Sequence, residues 1–191
     1  TRTGYNKPEL ETWLPEILEE EPAVVTIHAR TRKEMSKVPA QWELVKRAVE
    51  IRDEFALRQA QGKNKCLIFG NGDVKDLAEA RLRAEETGAD GVMLGRAIFG
   101  NPWLFSDGLR EVSVSQRLAA LAEHAKLFEE LLGGVKNFAV MKKHFKAYIK
   151  DFDARPTERS FGRGANDLRA KLMEANNASE VEKIVSDILS A

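Results

Sequence analysis

Strands and helices alternate over residues 1–105, and this order constrains the fold more than any other feature of the sequence. Three runs of β-branched and aliphatic residues are typical of strands, and they lie at 24–27, 66–69 and 91–94. The segments between them, 42–59 and 76–87, are rich in Ala, Leu, Glu and Arg, contain no proline and predict helices. A further helix is predicted at about 8–20, with a kink at Pro15. This order predicts the α/β class, with a parallel sheet covered by helices.

Two architectures satisfy this order, a doubly wound sheet and a (β/α)8 barrel. The pattern covers only residues 1–105, whereas a complete barrel needs roughly 250 residues and at least about 200. If the fold is a barrel, residues 1–105 form part of it, and sheet edges and an apolar interior face are left exposed.

From residue 106 onward the sequence changes to helical periodicity. Apolar residues recur at helical spacing from Leu118 to Leu132 and again from Phe138 to Ile149, with a Gly-Gly pair between the two series. Residues 179–182, Ser-Glu-Val-Glu, have the form of a capping box in front of a last helix. These patterns predict an all-helical domain at 106–191, joined to the α/β domain near 106–113.

Composition excludes several classes of protein. Hydrophobic residues make up 43% of the 191-residue chain, enough for a sizeable core, and Lys plus Arg balance Asp plus Glu at 30 each. The single cysteine, Cys66, forms neither an intrachain disulfide nor a thiolate metal cluster, and the three histidines lie far apart in sequence. No apolar run approaches the roughly 20 residues of a membrane helix. We therefore expect a soluble, cytoplasmic chain that binds neither membrane nor metal.

Two glycine-containing turns follow successive predicted strands and are candidates for a ligand site. In the first, Gly70-Asn71-Gly72-Asp73, bare backbone N–H groups and the N-terminus of the next helix can bind a phosphate. An ordinary turn with Asp73 as the helix N-cap explains the same residues. The second turn, Gly95-Arg96, follows the next strand. Two adjacent turns of this kind form the phosphate site of many barrels, and we predict phosphate binding here.

His28 ends the first predicted strand, and the carboxyl ends of strands in a parallel α/β sheet face the ligand. Its imidazole can donate a hydrogen bond to a heterocycle or a polar substrate atom, or it can be a purely structural donor. Arg30 and Arg32 follow it, and they can bind phosphate or pair with surface carboxylates. Cys66 begins a strand at the opposite end of the sheet and is predicted to be a small buried side chain.

The helical region carries a local excess of positive charge, with ten Lys or Arg against four Asp or Glu between residues 136 and 171. Four lysines fall near one face of a predicted helix: Lys142, Lys143, Lys146 and Lys150. Three arginines extend this charge into a predicted turn: Arg155, Arg159 and Arg163. Such a surface suits RNA phosphates, although a basic helix face can also be merely solvated.

Three motifs together resemble those of the tRNA-dihydrouridine synthases. They are Ile27-His28-Ala29-Arg30-Thr31-Arg32, Gly70-Asn71-Gly72-Asp73, and Thr87-Gly88-Ala89-Asp90-Gly91-Val92-Met93-Leu94-Gly95-Arg96-Ala97 with Gly100-Asn101-Pro102-Trp103 after it. They occur in the family's order and on the expected elements, and the third is long enough to be highly specific. Arg2-Thr3-Gly4 also resembles the family's motif after its fifth barrel strand. The helical tail matches the family's C-terminal domain in kind.

The resemblance implies a flavoenzyme that binds FMN on a TIM (β/α)8 barrel and reduces uridine in tRNA with NADPH. It places His28 against the flavin or substrate ring, with Arg30 as a further cofactor-binding candidate. It places the FMN phosphate among the residues of the two turns, Asn71, Gly72, Asp73, Gly95 and Arg96. The helical domain then holds the tRNA through the basic residues Lys142, Lys143, Lys146, Lys150 and Arg155.

Two functional residues of the family have no counterpart in this sequence: the cysteine that is the general acid toward uracil, and a lysine that contacts flavin and substrate. The resemblance therefore implies the C-terminal portion of such an enzyme, inactive alone and associated with an N-terminal half or with itself. Two alternatives stay open. One is another phosphate-binding barrel enzyme, dependent on flavin or not, and the other is a noncatalytic RNA-binding protein with a degenerate half-barrel.

Overall fold

The computed structural model describes residues 1–58, 66–106, 112–150 and 162–190 of the chain. The chain divides into two compact units, Thr1–Ala97 (unit 1) and Ile98–Ala191 (unit 2). This division lies earlier than the join expected near residue 106. The reason is close backbone packing within unit 2, where a Cβ atom added to Gly100 would lie 2.4 Å from the Ala147 carbonyl oxygen.

Unit 1 alternates helices and strands in the predicted order: α1 (Leu10–Glu19), β1 (Val24–His28), α2 (Trp42–Arg58), β2 (Leu67–Asn71), α3 (Leu77–Thr87) and β3 (Gly91–Met93). The strands are parallel and are hydrogen-bonded in the order β1-β2-β3, so spatial order follows chain order. Residues 1–3 extend the sheet beside β1 through a parallel bridge between Arg2 and His28. The predicted α/β class with a parallel sheet is confirmed.

The ends of α3 follow from two local side-chain and backbone features. The Asp76 carboxylate accepts the Glu79 N–H at 2.7 Å, which caps the helix at its start. Gly88 ends it in the left-handed conformation at φ 71°, as its position in the sequence predicted. The alternative expectation that Asp73 is the N-cap of this helix is therefore wrong, because the helix begins only at Leu77.

The core of unit 1 lies on one face of the sheet. Side chains of α1 and α2 pack there against alternate residues of the strands, and the core includes Leu10, Leu14, Val25, Ile27, Trp42, Val45 and Ile68. On the opposite face Val24, Leu67 and Met93 are 45%, 41% and 49% exposed. The described helices thus cover one face of the sheet and leave apolar residues of the other accessible.

A buried arginine joins the amino-terminal ends of β2 and β3. Arg52 of α2 is 3% exposed and pairs with Asp90, while donating to the Cys66 carbonyl oxygen at 3.1 Å. Asp90 also accepts the Ile68 N–H at 2.8 Å. Cys66 is buried, as predicted, and its burial raises the pKa of the thiol.

Among its described residues, unit 2 contains helices and no strand. Its helices include α4 (Val114–Leu132), α5 (Lys142–Tyr148), α6 (Gly162–Glu174), α7 (Ala178–Leu189) and a 3-10 helix at Phe138–Met141. These elements share a separate core built on residues such as Leu118, Leu121, Met141, Phe145, Leu168, Leu172 and Val181. Most of the apolar side chains predicted for the first two helical segments belong to this core or pack against it, since their spacing at 3.6-residue intervals places them on one face. Leu132, which was predicted with them, is 43% exposed.

Three local predictions for unit 2 are wrong. The segment 138–149 is a 3-10 helix followed by the short α5, and not one helix. The last helix begins at Ala178 with Asn177 as its N-cap, because the Asn177 amide oxygen accepts the Glu180 N–H, so Ser179 caps nothing. Arg163 lies in α6, where a turn was expected.

Candidate functional site

The candidate site lies where the three strands of unit 1 end. In the register of the sheet His28 is paired with Asn71, and Asn71 is paired with Met93, so these residues form one row across the sheet. Alternation along the strands places the row on the same face as Val24 and Leu67, the face that the described helices leave uncovered. The structure therefore brings together His28 and the two glycine-containing turns, as the sequence predicted for parallel strands.

Gly72 passes so close to His28 that no side chain fits between them. Its φ of 132° lies in the region that only glycine adopts without strain. A Cβ atom there would lie 2.8 Å from the Ala40 Cβ and 3.2 Å from the His28 Cδ2. The Gly72 carbonyl also accepts the indole N–H of Trp42 at 3.1 Å. This turn is thus fixed by its packing, and its glycine brings the backbone against the imidazole.

A network of charged side chains lies next to His28 and consists of Arg30, Asp73 and Arg96. The Arg30 guanidinium is 3% exposed and pairs with one oxygen of Asp73, while its Nε donates to the Val38 carbonyl at 2.6 Å. The other Asp73 oxygen lies 3.2 Å from the guanidinium of Arg96, which is 71% exposed. Burial alone would raise the pKa of Asp73, but the Ala40 N–H and Arg30 outweigh it and hold the pKa below its ordinary value. Asp73 therefore carries its negative charge at neutral pH.

This network decides which of the predicted residues fit a phosphate. The donors of Arg30 are directed at Val38, Asp73 and His28, and Asp73 itself repels an anion. By contrast, a Cβ atom at Gly95 would meet nothing within 4 Å, and the adjacent Arg96 is mostly exposed. Open backbone beside an accessible guanidinium fits a phosphate group. The second turn is thus better suited to an anion than the first.

His28 is held in its neutral form. Burial lowers the pKa of its imidazole, and the positive charges of Arg2 and Arg30 lower it further. The Nη1 of Arg30 lies 3.4 Å from the His28 Nε2, and a guanidinium can only donate. Nε2 therefore accepts this hydrogen bond, which leaves the proton on Nδ1. The ring can donate one hydrogen bond without carrying a charge.

Asn71 ties β2 to β3 at the site. Its side-chain Nδ2 donates to the Met93 carbonyl oxygen at 2.7 Å. This bond fixes the amide at the end of the sheet and links the first glycine-containing turn to the end of β3. The sequence suggested Asn71 as a phosphate ligand but did not reveal this bond between strands, because the register of β2 against β3 is not readable from the sequence.

The lysines predicted to bind RNA lie on and just after α5. Lys143, Lys146 and Lys150 are exposed, and Lys142 is half-buried. Lys150 follows the end of the helix at Tyr148, so it does not continue the helical face as predicted. None of these four lysines pairs with a carboxylate in the part of the chain that the structure describes. Arg155 and Arg159 lie outside the described residues.

Two histidines that are distant in sequence meet beneath this surface. The rings of His124 on α4 and His144 on α5 lie 5.0 Å apart between centroids, and the Tyr148 hydroxyl lies 3.4 Å from the His124 Nδ1. Burial lowers the pKa of both imidazoles, and for His144 the charges of His124 and Lys143 add to the effect. The spacing of the histidines in the sequence gives no sign of this cluster, because the packing of α4 on α5 creates it.

Within residues 1–58, 66–106, 112–150 and 162–190, no group of three or more His, Cys, Asp or Glu side chains is arranged to hold a metal ion. In the same ranges no helix combines the length and the apolar character that crossing a membrane requires.

Comparison with known proteins places these residues in a family. A family model described as "Dihydrouridine synthase (Dus)" matches residues 17–189. A Staphylococcus aureus (strain MRSA252) protein named "Probable tRNA-dihydrouridine synthase" is 35% identical over 189 residues, which are 98% of this chain and 52% of that protein. A Bacillus subtilis (strain 168) protein named "Probable tRNA-dihydrouridine synthase 2" is 35% identical over 189 residues, 98% of this chain and 53% of its own length. The chain thus spans about half the length of the curated relatives it matches.

The matched range contains the candidate site from His28 to Arg96 as well as the lysines of α5. It extends through both units of the structure. The resemblance carried by the three sequence motifs is confirmed, and the chain belongs to the dihydrouridine synthase family.

Proposed function

We propose that this chain forms the FMN-phosphate-binding and RNA-binding parts of a tRNA-dihydrouridine synthase that takes its electrons from NADPH. One observation carries the proposal: His28, Asn71, Gly72 and the Gly95-Arg96 turn converge at the carboxyl edge of a parallel sheet. Ligands bind at this edge in parallel α/β folds. The names of the relatives support uridine in tRNA as the substrate.

The sheet is an arc of a (β/α)8 barrel. Two features favour the barrel over a doubly wound sheet. First, the described strands follow one another in space in chain order, without the reversal that a doubly wound sheet has at its switch point. Second, helices cover one face only, whereas a doubly wound sheet has helices on both. The face that carries Val24, Leu67 and Met93 then lines the barrel interior, and a chain that exposes it self-associates.

The turn at Gly95 and Arg96 binds the FMN phosphate. Gly95 lets the phosphate approach the backbone closely, and the exposed Arg96 guanidinium supplies a counter-charge. The Asp73 carboxylate orients the Arg96 guanidinium through their contact at 3.2 Å. When bound, the flavin supplies the hydride that reduces the uracil ring.

His28 orients the ring that lies at the site. Its neutral imidazole, fixed by Arg30 at Nε2, donates from Nδ1 to an oxygen of the flavin or the uracil. A neutral donor can hold such an oxygen without itself delivering a proton. His28 is thus a positioning group, and the proton that reaches the uracil carbon comes from another acid.

That acid is not Cys66. Its thiol is buried next to the first residue of β2, at the opposite end of the strand from His28 and Asn71, and its pKa is raised. Because it is the single cysteine of the chain, the cysteine acid of the family has no equivalent in these 191 residues. We therefore propose that this chain supports cofactor and RNA binding but does not complete the reaction by itself.

The lysine surface on and just after α5 (Lys143, Lys146 and Lys150) binds the tRNA backbone. Lys143, Lys146 and Lys150 are exposed and have no carboxylate partner among the residues described, so their charges are available to phosphates. Phe145 and Tyr148 anchor the same helix in the core of unit 2. The helix therefore presents its lysines on a fixed support.

The test compares FMN with riboflavin, which has the same ring system and no phosphate. Both are titrated against the 191-residue chain by flavin fluorescence, for the parent and for Gly95→Val, Arg96→Ala and Gly134→Val. Gly134 is the matched control, since a Cβ atom there also meets nothing within 4 Å and it lies in unit 2. We expect Gly95→Val and Arg96→Ala to weaken FMN binding about 10-fold or more while riboflavin binding stays the same.

Equal affinities for FMN and riboflavin in the parent chain would contradict the phosphate site. Binding of tRNA without any binding of FMN would instead support the alternative of a noncatalytic RNA-binding protein.

A further inference from the structure

An exposed aromatic ring lies beside the candidate site, and the proposed function does not use it. Tyr5 is 65% exposed, and the guanidinium carbon of Arg32 lies over its ring, 5.9 Å from the centroid. Such a contact is a cation–π interaction, and it keeps the Arg32 side chain against the exposed ring. We call Tyr5 and Arg32 the Tyr5 platform.

The Tyr5 platform is fixed by its backbone. The N–H of Arg32 donates to the Gly4 carbonyl at 2.8 Å, and the N–H of Lys33 donates to the Tyr5 carbonyl at 2.9 Å. Arg2 adds two hydrogen bonds to the loop after β1, since its Nη1 donates to the carbonyl oxygens of Thr31 and Met35. The ring is therefore exposed without being on a loose segment.

The platform lies at the same edge of the sheet as the candidate site. Arg2, three residues before Tyr5, forms a parallel bridge with His28, the last residue of β1. Arg32 follows His28 by four residues in the loop that leaves β1. An RNA whose uridine reaches His28 therefore passes next to Tyr5.

Exposed positive charges lie on the two segments that meet at the ring. Lys7, Arg32, Lys33 and Lys37 are exposed, and none of them pairs with a carboxylate in the described part of the chain. The nearby carboxylate of Glu34 is tied to its own loop, where it accepts the Thr31 N–H at 2.7 Å and a hydrogen bond from Gln41 at 3.1 Å. The surface thus combines an exposed ring with exposed cations.

Aromatic rings interleaved with cations are the features that bind unpaired nucleotides, because every base can stack on a ring while phosphates meet the cations. We propose that the Tyr5 platform stacks an unpaired base of the RNA beside the candidate site, while Lys33 and Lys37 contact its phosphates. This inference rests on the proposed function for the identity of the RNA. An acidic protein would satisfy the cations but would not require the ring.

The test measures binding of a labelled oligouridylate to the 191-residue chain by fluorescence anisotropy, with an RNA duplex and polyglutamate as comparison ligands. Tyr5→Ala should weaken oligouridylate binding by about 5- to 100-fold without changing the salt dependence, since stacking releases no counterions. Tyr5→Phe keeps the ring and should bind like the parent. Lys33→Ala/Lys37→Ala should instead reduce the slope of log affinity against log salt. Phe105→Ala, which removes another exposed ring, is the matched control.

Three outcomes would contradict the stacking role of the Tyr5 platform. Tyr5→Ala could bind oligouridylate as tightly as the parent does, or it could lose as much affinity for the RNA duplex as for oligouridylate. Polyglutamate could also compete for the chain as strongly as oligouridylate does. FMN titration of the same variants separates this inference from the proposed function. If Tyr5→Ala loses RNA binding and no variant binds FMN, the stacking role of the Tyr5 platform is supported and the flavin site is refuted. FMN binding together with ring-independent RNA binding refutes the platform alone.

Discussion

The carboxylate of Asp73 pairs with the guanidinium of Arg30, and this pair links the segments that follow β1 and β2. Arg30 is 3% exposed and Asp73 is 37% exposed, so the cation is inside the protein while its partner reaches the surface. The carboxylate also accepts the Ala40 N–H at 2.9 Å. The pair thus closes the loop after β1 over the turn after β2, with His28 in contact with both segments.

Removing this carboxylate should destabilise unit 1. In Asp73→Ala the guanidinium of Arg30 stays buried without its counter-charge, and we expect the free energy of unfolding to fall by roughly 1–3 kcal/mol. Arg96→Ala removes the exposed partner of the same carboxylate and should change it by less than about 0.5 kcal/mol. Urea denaturation followed by tryptophan fluorescence measures both, and equal effects would show that the burial of Arg30 does not matter.

The two glycines at the site should respond differently to the same substitution. Gly72→Ala places a Cβ atom against Ala40 and His28 at a φ of 132°, so we expect a loss of roughly 1–3 kcal/mol in the free energy of unfolding. Gly95→Ala meets open space and should leave stability within about 0.5 kcal/mol of the parent. Thermal melts of the two variants make the comparison. A stable Gly72→Ala variant would mean that the turn shifts easily.

The lysine surface predicts a change in the salt dependence of RNA binding. If Lys143 and Lys146 meet tRNA phosphates, Lys143→Ala/Lys146→Ala should lower the slope of log affinity against log salt by up to about one unit per lysine. FMN binding should stay the same. Titration of tRNA at several salt concentrations gives the slopes, and identical slopes would leave this surface merely solvated.

Unit 2 should lose stability in mild acid. Burial lowers the folded-state pKa of His124 and His144 below the ordinary value of 6.5, so the unfolded chain takes up protons first. Their contribution is full above about pH 6.5 and falls as the pH drops through the lowered folded-state values. Among the described residues, the charges that act on these imidazoles are those of His124 on His144 and of Lys143, and neither is negative.

Denaturation at pH 7.5, about one unit above the ordinary histidine pKa, and at a mildly acidic pH of about 5 measures this effect. The variant His124→Gln/His144→Gln should lose less stability between the two pH values than the parent chain does. An unchanged difference between them would assign the acid sensitivity to carboxylates elsewhere.

The 191-residue chain should form no dihydrouridine in tRNA, even with FMN and NADPH supplied. Its single thiol, Cys66, is buried at the amino-terminal end of the sheet and cannot protonate a ring at the carboxyl edge. Mass spectrometry of the digested tRNA detects the product. Sustained product formation by the parent, and equally by Cys66→Ser, would show that another residue of this chain is the acid.

The sequence by itself determined the strand–helix order of unit 1 and the place of the site. Both depend on local properties: β-branched runs favour strands, Ala-rich and Leu-rich segments favour helices, and Gly88 ends α3 through its freedom at positive φ. Because parallel strands all end at one edge, finding the strands was enough to place His28 beside the glycine-containing turns.

Tertiary packing alone decided the rest. The sequence left Arg30 open between a phosphate and a surface carboxylate, and burial of the arginine pairs it with Asp73, 43 residues away in the chain. His124 and His144 meet because α4 packs on α5. Tyr5 becomes a platform because two backbone hydrogen bonds bring Arg32 and Lys33 against its segment. Each of these contacts joins residues distant in sequence, and only the folded chain sets the distances between them, because no local propensity or spacing encodes which elements pack together.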